Sequence, residues 1–135
     1  MSSDAELLET ANRMIDAWNR MDWDDVMNLF SEDARLHSMM EAEPTVGQSA
    51  IRRRIEKLCE SMTEVSIVVR NAAVVGDSVF LERVDGFVLD GRPGAMPVVG
   101  VLEIEDGKVR EWREYYDRAT LLRGMGLERD FVEDL

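Results

Sequence analysis

The chain has 135 residues, of which 45% are hydrophobic and 33% charged, and its formal net charge is −12. That length and mix suit one globular domain with a single core or one lined cavity. The acidic balance excludes a nucleic-acid binder and a dock for anionic lipid, which both need a basic footprint, and no apolar run approaches the ~18 residues of a membrane span.

The single cysteine, Cys59, excludes an intrachain disulfide and a thiolate-clustered zinc site, and the single histidine, His37, excludes multi-histidine metal motifs. No metal and no cofactor is therefore expected. The acidic start carries no secretory signal, so a cytoplasmic location is expected. Without a repeat or a Pro/Gly/Ser linker, residues 1–135 read as one domain.

The first third has helical spacing. Leu7, Leu8, Ala11, Met14, Ile15 and Trp18 recur along one face, and Ser3 or Asp4 can cap the start. A second helix is expected at about Trp23–Phe30, with Asp24 and Asp25 in its first turn, where the helix dipole favours acids. A short extended stretch, about Ala34–Met39, follows. Gly47 breaks the chain, and Ser49 can cap a third helix carrying Ile51, Ile55 and Leu58.

The second half changes period. Strands are expected at Val65–Val75, Val79–Leu89, Pro97–Ile104 and Val109–Tyr116, separated by the turns Gly76–Ser78 and Glu105–Lys108 and the loop Asp90–Gly94. Short turns between consecutive strands imply an antiparallel meander. Helices first and strands after imply an α+β fold, a curved antiparallel sheet wrapped around N-terminal helices with a cone-shaped pocket at its open end.

In the strand Val79–Leu89, side chains alternate faces, so Val79, Leu81, Arg83, Asp85, Phe87 and Leu89 share one face. Phe80, Glu82, Val84, Gly86 and Val88 share the other, and either could be the inner one. If the first face points inward, Arg83 and Asp85 form an ion pair within an apolar wall. Buried charge is costly unless paired and hydrogen-bonded, and a guanidinium can bridge two carboxylates. Asp117, at the end of Glu111-Trp112-Arg113-Glu114-Tyr115-Tyr116-Asp117, is a candidate second carboxylate; it is equally a natural N-cap for a helix at Arg118–Arg123.

Glu82-Arg83-Val84-Asp85, followed by Trp112-Arg113-Glu114-Tyr115-Tyr116-Asp117, resembles the limonene-1,2-epoxide hydrolase family. The order of helices and strands resembles the wider fold of nuclear transport factor 2, ketosteroid isomerase and the polyketide cyclases. The resemblance implies that Asp117 is the general base, Asp85 the general acid and Arg83 the bridge between them. It also implies a small lipophilic epoxide as substrate and a homodimer formed through the outer sheet face. The family's water-holding Tyr and Asn correspond to His37 and Met39, of which His37 can still hold water through a ring nitrogen.

Met14, Trp18, Met39, Leu81, Phe87 and Tyr115 are the expected pocket lining, with Met40 and Met96 as further adaptable fillers. Arg52-Arg53-Arg54 reads as a solvated helix face. The acidic, amphipathic tail Leu127–Leu135 is expected to cover the pocket mouth or a partner subunit. Two rivals stand beside epoxide hydrolysis: a polyketide cyclase or isomerase of the same fold, and a non-catalytic ligand-binding module. An isomerase lacks an obvious base here, since its position corresponds to Ser38.

Overall fold

The computed structural model describes residues 2–127. The tail expected to cover the mouth lies outside them, apart from Leu127. In chain order the elements are α1 (Asp4–Asn19), α2 (Trp23–Leu29), β1 (Phe30–Ser38), β2 (Thr45–Val46), α3 (Gln48–Cys59), β3 (Met62–Val75), β4 (Ser78–Leu89), β5 (Arg92–Glu105), β6 (Lys108–Tyr115) and α4 (Arg118–Met125). The α+β expectation holds: one curved sheet, in the order β2-β1-β6-β5-β4-β3, packs its concave face on the helices.

Local chemistry sets the helix starts. Ser3 and Glu6 form a reciprocal capping box at α1, and Asp22 accepts from the Asp25 N–H at α2 (3.0 Å). Ser49 does not cap α3. That helix starts after Gly47, and the Gln48 side chain in its first turn donates to the carbonyls of Met27 (3.2 Å) and Phe30 (2.9 Å). This ties α3 to the α2–β1 junction.

β3 to β6 form the expected meander. β1 returns to pair in parallel with β6, which no local pattern announced, and the two-residue β2 pairs on its far side. The expected loop at Asp90–Gly94 is only the two-residue turn Asp90-Gly91, since β5 already begins at Arg92. Prolines stand in this strand at 93 and 97. They are tolerated because β6 pairs with β5 only from Val99 onward, so the earlier stretch has one free edge.

The core joins Leu7, Ala11 and Met14 of α1 and Ile51 and Ile55 of α3 to Leu81, Leu102 and Trp112 of the sheet. A second cluster, Phe87, Leu89, Leu121 and Met125, seats α4 against the ends of β4 and β5. Gly94 makes that contact close: a Cβ there would stand 2.6 Å from the Phe87 ring and 2.9 Å from the Gly124 carbonyl. On the free edge of β3, Asn19 donates from Nδ2 to the Ile67 carbonyl (3.1 Å) and accepts at Oδ1 from the Ile67 N–H (2.6 Å).

Candidate active site

Between the inner sheet face and the helices lies an apolar cavity of about 140 Å³. Trp18, Ile55, Leu58, Met62, Phe87 and Met96 give it apolar walls, and Ser38, Arg83, Asp85, Glu114 and Tyr116 bring polar atoms to its lining. Arg83 and Asp85 are on the inner face of β4, as the alternation with Leu81 and Phe87 allowed.

The guanidinium of Arg83 is 2% exposed and grips a carboxylate on each side. Its Nε is 3.0 Å from Asp85 Oδ1 and its Nη2 2.7 Å from Asp85 Oδ2. Its Nη1 is 2.8 Å from Glu114 Oε1 and its Nη2 2.5 Å from Glu114 Oε2. The Trp112 indole N–H donates to Glu114 as well, and Arg83 Cζ stands 5.8 Å from the centroid of the Trp112 ring. Gly100 of β5 leaves room for this crossing. A Cβ at that position would lie 2.5 Å from Arg83 Nη1, 2.6 Å from Glu114 Oε1 and 3.1 Å from Trp112 Nε1.

The second carboxylate is therefore Glu114 and not Asp117. Asp117 is exposed at the N-terminus of α4, where its Oδ2 accepts from the Thr120 hydroxyl at 2.6 Å. That hydrogen bond, with help from the Thr120 and Ala119 backbone, holds its pKa below the ordinary value. The physical cause of the difference is a bulge. Ile104 pairs with Val109 but Glu103 pairs with Glu111, so Arg110 is an extra residue in β6. Strict alternation from the buried Val109 would send Tyr115 and Asp117 inward. The bulge instead turns Trp112, Glu114 and Tyr116 inward and leaves Tyr115 42% exposed on the outer face.

β1 differs from expectation by one residue. Leu36 and Ser38 line the cavity, and Ser38 pairs with Glu114 across β1 and β6. His37 is on the opposite face, beside Arg113, and its Nε2 is 3.1 Å from the Glu41 carbonyl oxygen. Of the expected lining, Trp18 and Phe87 border the cavity. Met14 and Leu81 are fully buried in the core behind it, and Met39 lies past the end of β1. Ser38, Glu114, Tyr116 and Gly100 were not selected from the sequence. A signal existed for the first three: Phe30, Ala34 and Leu36 share parity with Ser38, and Trp112 shares parity with Glu114 and Tyr116.

Burial acts on the Glu114 carboxyl and raises its pKa, an effect that the Arg83 charge and hydrogen bonds only partly offset. Burial pulls the Arg83 pKa down, yet Glu114 and then Asp85 outweigh it, so the guanidinium stays charged. One cation between two anions would leave a negative charge in an apolar cavity, and uptake of one proton cancels it.

The fold places the chain among known structures. An LEH-like epoxide hydrolase from M. tuberculosis superimposes with a TM-score of 0.78 at 19% identity, over 90% of each chain. A protein from Shewanella denitrificans, named for its likeness to SnoaL-like polyketide cyclases, gives 0.81 at 15% identity, over 92% of this chain and 98% of that one. A protein with a ketosteroid isomerase-like fold from Catenulispora acidiphila, crystallised with trimethylamine, gives 0.77 at 21%, over 88% and 93%. These likenesses are of fold alone, and the fold hosts many functions. The profile of the SnoaL-like domain matches residues 11–112, the span that runs from the first helix to the strand bearing the Arg83 cluster's indole, and the chain belongs to the SnoaL-like family.

Proposed function

We propose that the protein is a cofactor-free hydrolase that adds water to a small lipophilic epoxide and releases a vicinal diol. The observation that carries this reading is the Arg83 guanidinium held by Asp85 and Glu114 inside an apolar cavity. Epoxide hydration needs a base behind the water and an acid at the ring oxygen, and paired carboxyls sharing one proton supply both.

Glu114, the carboxyl whose pKa burial raises, holds the proton and serves as the acid. Asp85 serves as the base; each of its oxygens accepts from one Arg83 nitrogen and keeps a lone pair for water. This assigns to Glu114 the acid's part that the family resemblance gave to Asp85. Water oxygen bonds to a ring carbon as the carbon–oxygen bond of the epoxide breaks. The water proton goes to Asp85 and the Glu114 proton to the released oxygen. Transfer of the proton from Asp85 back to Glu114 restores the site. The cavity is near the ~150 Å³ that admits a benzene ring, so a substrate built on one six-carbon ring has the right size.

A single turnover in ¹⁸O-water on a panel of cyclic and linear epoxides tests the reading. The diol should carry the label from the first turnover. An unlabelled diol, with the label later in Asp85 or Glu114, would show a covalent ester instead.

A second reading has its own support. The same base beside a bound carbonyl would move a proton between carbons, as in an isomerase or cyclase, and the hydrogen-bonded pair Ser38 and Tyr116 lines the same cavity. Exchange of α-hydrogens of a cyclic ketone into deuterium oxide, without epoxide turnover, would select it. We also propose a homodimer through the outer sheet face, where Val68, Phe80, Val99 and Tyr115 are exposed; Tyr115→Glu should dissociate it in sedimentation.

A further inference from the structure

We propose that Ser38 and Tyr116 form the oxygen-binding end of the cavity and donate one hydrogen bond to a neutral oxygen of the substrate, an epoxide or a carbonyl. The proposal rests on the reading above only for which of these oxygens the natural substrate carries.

Both residues line the cavity, and their hydroxyl oxygens lie 2.5 Å apart. Arg118 Nη1 is 2.7 Å from the Tyr116 oxygen. A guanidinium only donates, so the phenol oxygen is an acceptor there. Between Ser38 and Tyr116 one hydroxyl donates to the other, which uses one of the two hydroxyl protons. If Tyr116 donates to Ser38, the Ser38 proton is unspent. If Ser38 donates to Tyr116, the Tyr116 proton is unspent. Among the described residues no other partner of either hydroxyl takes that proton, so in both arrangements one donor is left on the cavity wall.

Position makes that donor useful. Ser38 pairs with Glu114 across the two strands, and Tyr116 follows Trp112 and Glu114 along the same inner face. Adjacent strands are ~4.8 Å apart, so an oxygen held at this pair is also within reach of the Glu114 proton. The Arg118 charge polarises the chain of hydrogen bonds toward the ligand. Arg118 is itself seated by Glu41, 3.5 Å away, which also pairs with Arg54. The hydroxyl pair keeps its protons throughout; it orients the oxygen and stabilises negative charge that grows on it.

Cyclohexanone and methylenecyclohexane, a ketone and its hydrocarbon isostere, are suitable probes because neither can be hydrated as an epoxide. In the wild type the ketone should bind more tightly than the alkene, and its infrared carbonyl stretch should lie below its value in the double variant Ser38→Ala/Tyr116→Phe, which alone removes both hydroxyl protons. The ketone-to-alkene affinity ratio should fall about fivefold to tenfold in the double variant, the size of one lost hydrogen bond. If the double variant does not fold, Tyr116→Phe serves: Ser38 then donates without the Arg118 charge behind it, so the carbonyl stretch should rise part of the way. Asp85→Asn should abolish epoxide turnover and leave the carbonyl signal in place, which separates this proposal from the hydrolase reading. An unchanged carbonyl frequency across the variants, an unchanged affinity ratio, or no binding of cyclohexanone by the wild type would overturn it.

Discussion

Gly100 lies directly beneath Arg83, so close that a Cβ there would be 2.5 Å from Nη1. The missing side chain is what lets a guanidinium from β4 reach Glu114 on β6 across the intervening strand β5. Leu81 and Glu114 flank Gly100 on either side, which marks it as the floor of the cluster.

Gly100→Ala should therefore displace the guanidinium. Overpacking of this kind costs about 1–3 kcal/mol. The melting temperature should drop, and turnover should drop further than stability explains, because the spacing of the two carboxyls changes. A folded Gly100→Ala protein with full activity would show that the Arg83 geometry is not needed.

Asp85→Asn and Glu114→Gln should each lower turnover at least about 10²-fold, the usual loss with general acid–base catalysis. Asp117→Asn should leave turnover within about twofold of wild type, since its carboxylate faces Thr120 at the surface. Steady-state rates on one confirmed epoxide decide between Glu114 and Asp117. Loss of activity in the Asp117 variant alone would restore the assignment that the family motif implied.

The raised pKa of Glu114 gives a pH dependence with a definite sign. Its proton is present at low pH and lost as pH rises through a pKa raised above the ordinary glutamate value. Turnover that depends on this acid should fall over the same interval. Stability carries the same sign: the contribution of neutral Glu114 is complete below the ordinary value and disappears as pH rises through the raised one. Glu114→Gln stays neutral, so its stability relative to wild type should increase with pH across that window. Thermal melts at a series of pH values measure this directly.

His37 shares a face with Arg35 and Arg113, outside the cavity. His37→Gln should leave both the rate and the pH profile of turnover unchanged. A profile that lost an inflection in this variant would show that the histidine reaches the reacting water.

Cys59 is buried, and desolvation raises its thiol to about 12. Thiolate is the reactive form. Iodoacetamide at mildly alkaline pH should therefore leave the native protein unlabelled and modify it fully in denaturant, as mass spectrometry can show.

Much of this architecture was legible in the sequence. Apolar spacing marked α1 and α3, and β-branched runs with Gly-Asp turns marked the meander. Arg83 and Asp85 stood out because charge interrupted the apolar alternation of Leu81 and Phe87. Counting from Val109 hid the second carboxylate, because alternation assumes an unbroken pleat and Arg110 breaks it; only the parity with Trp112 pointed to Glu114. Gly100 was invisible for another reason: its role depends on three side chains from two other strands. The parallel β1–β6 pairing joins segments far apart in sequence, and no turn between them announces it.

Asn19 acts at Ile67 as a peptide group from a neighbouring strand would, offering one donor and one acceptor to the open edge of β3. A foreign strand approaching that edge finds its first docking point already occupied by a side chain from within the same molecule, a safeguard against edge-to-edge association. The amide hydrogen of Ile67 is shielded as well, so it should exchange with solvent more slowly than its position on an outermost strand would suggest. In Asn19→Ala that amide should exchange rapidly, and the chain should aggregate more readily when held for long periods at high concentration.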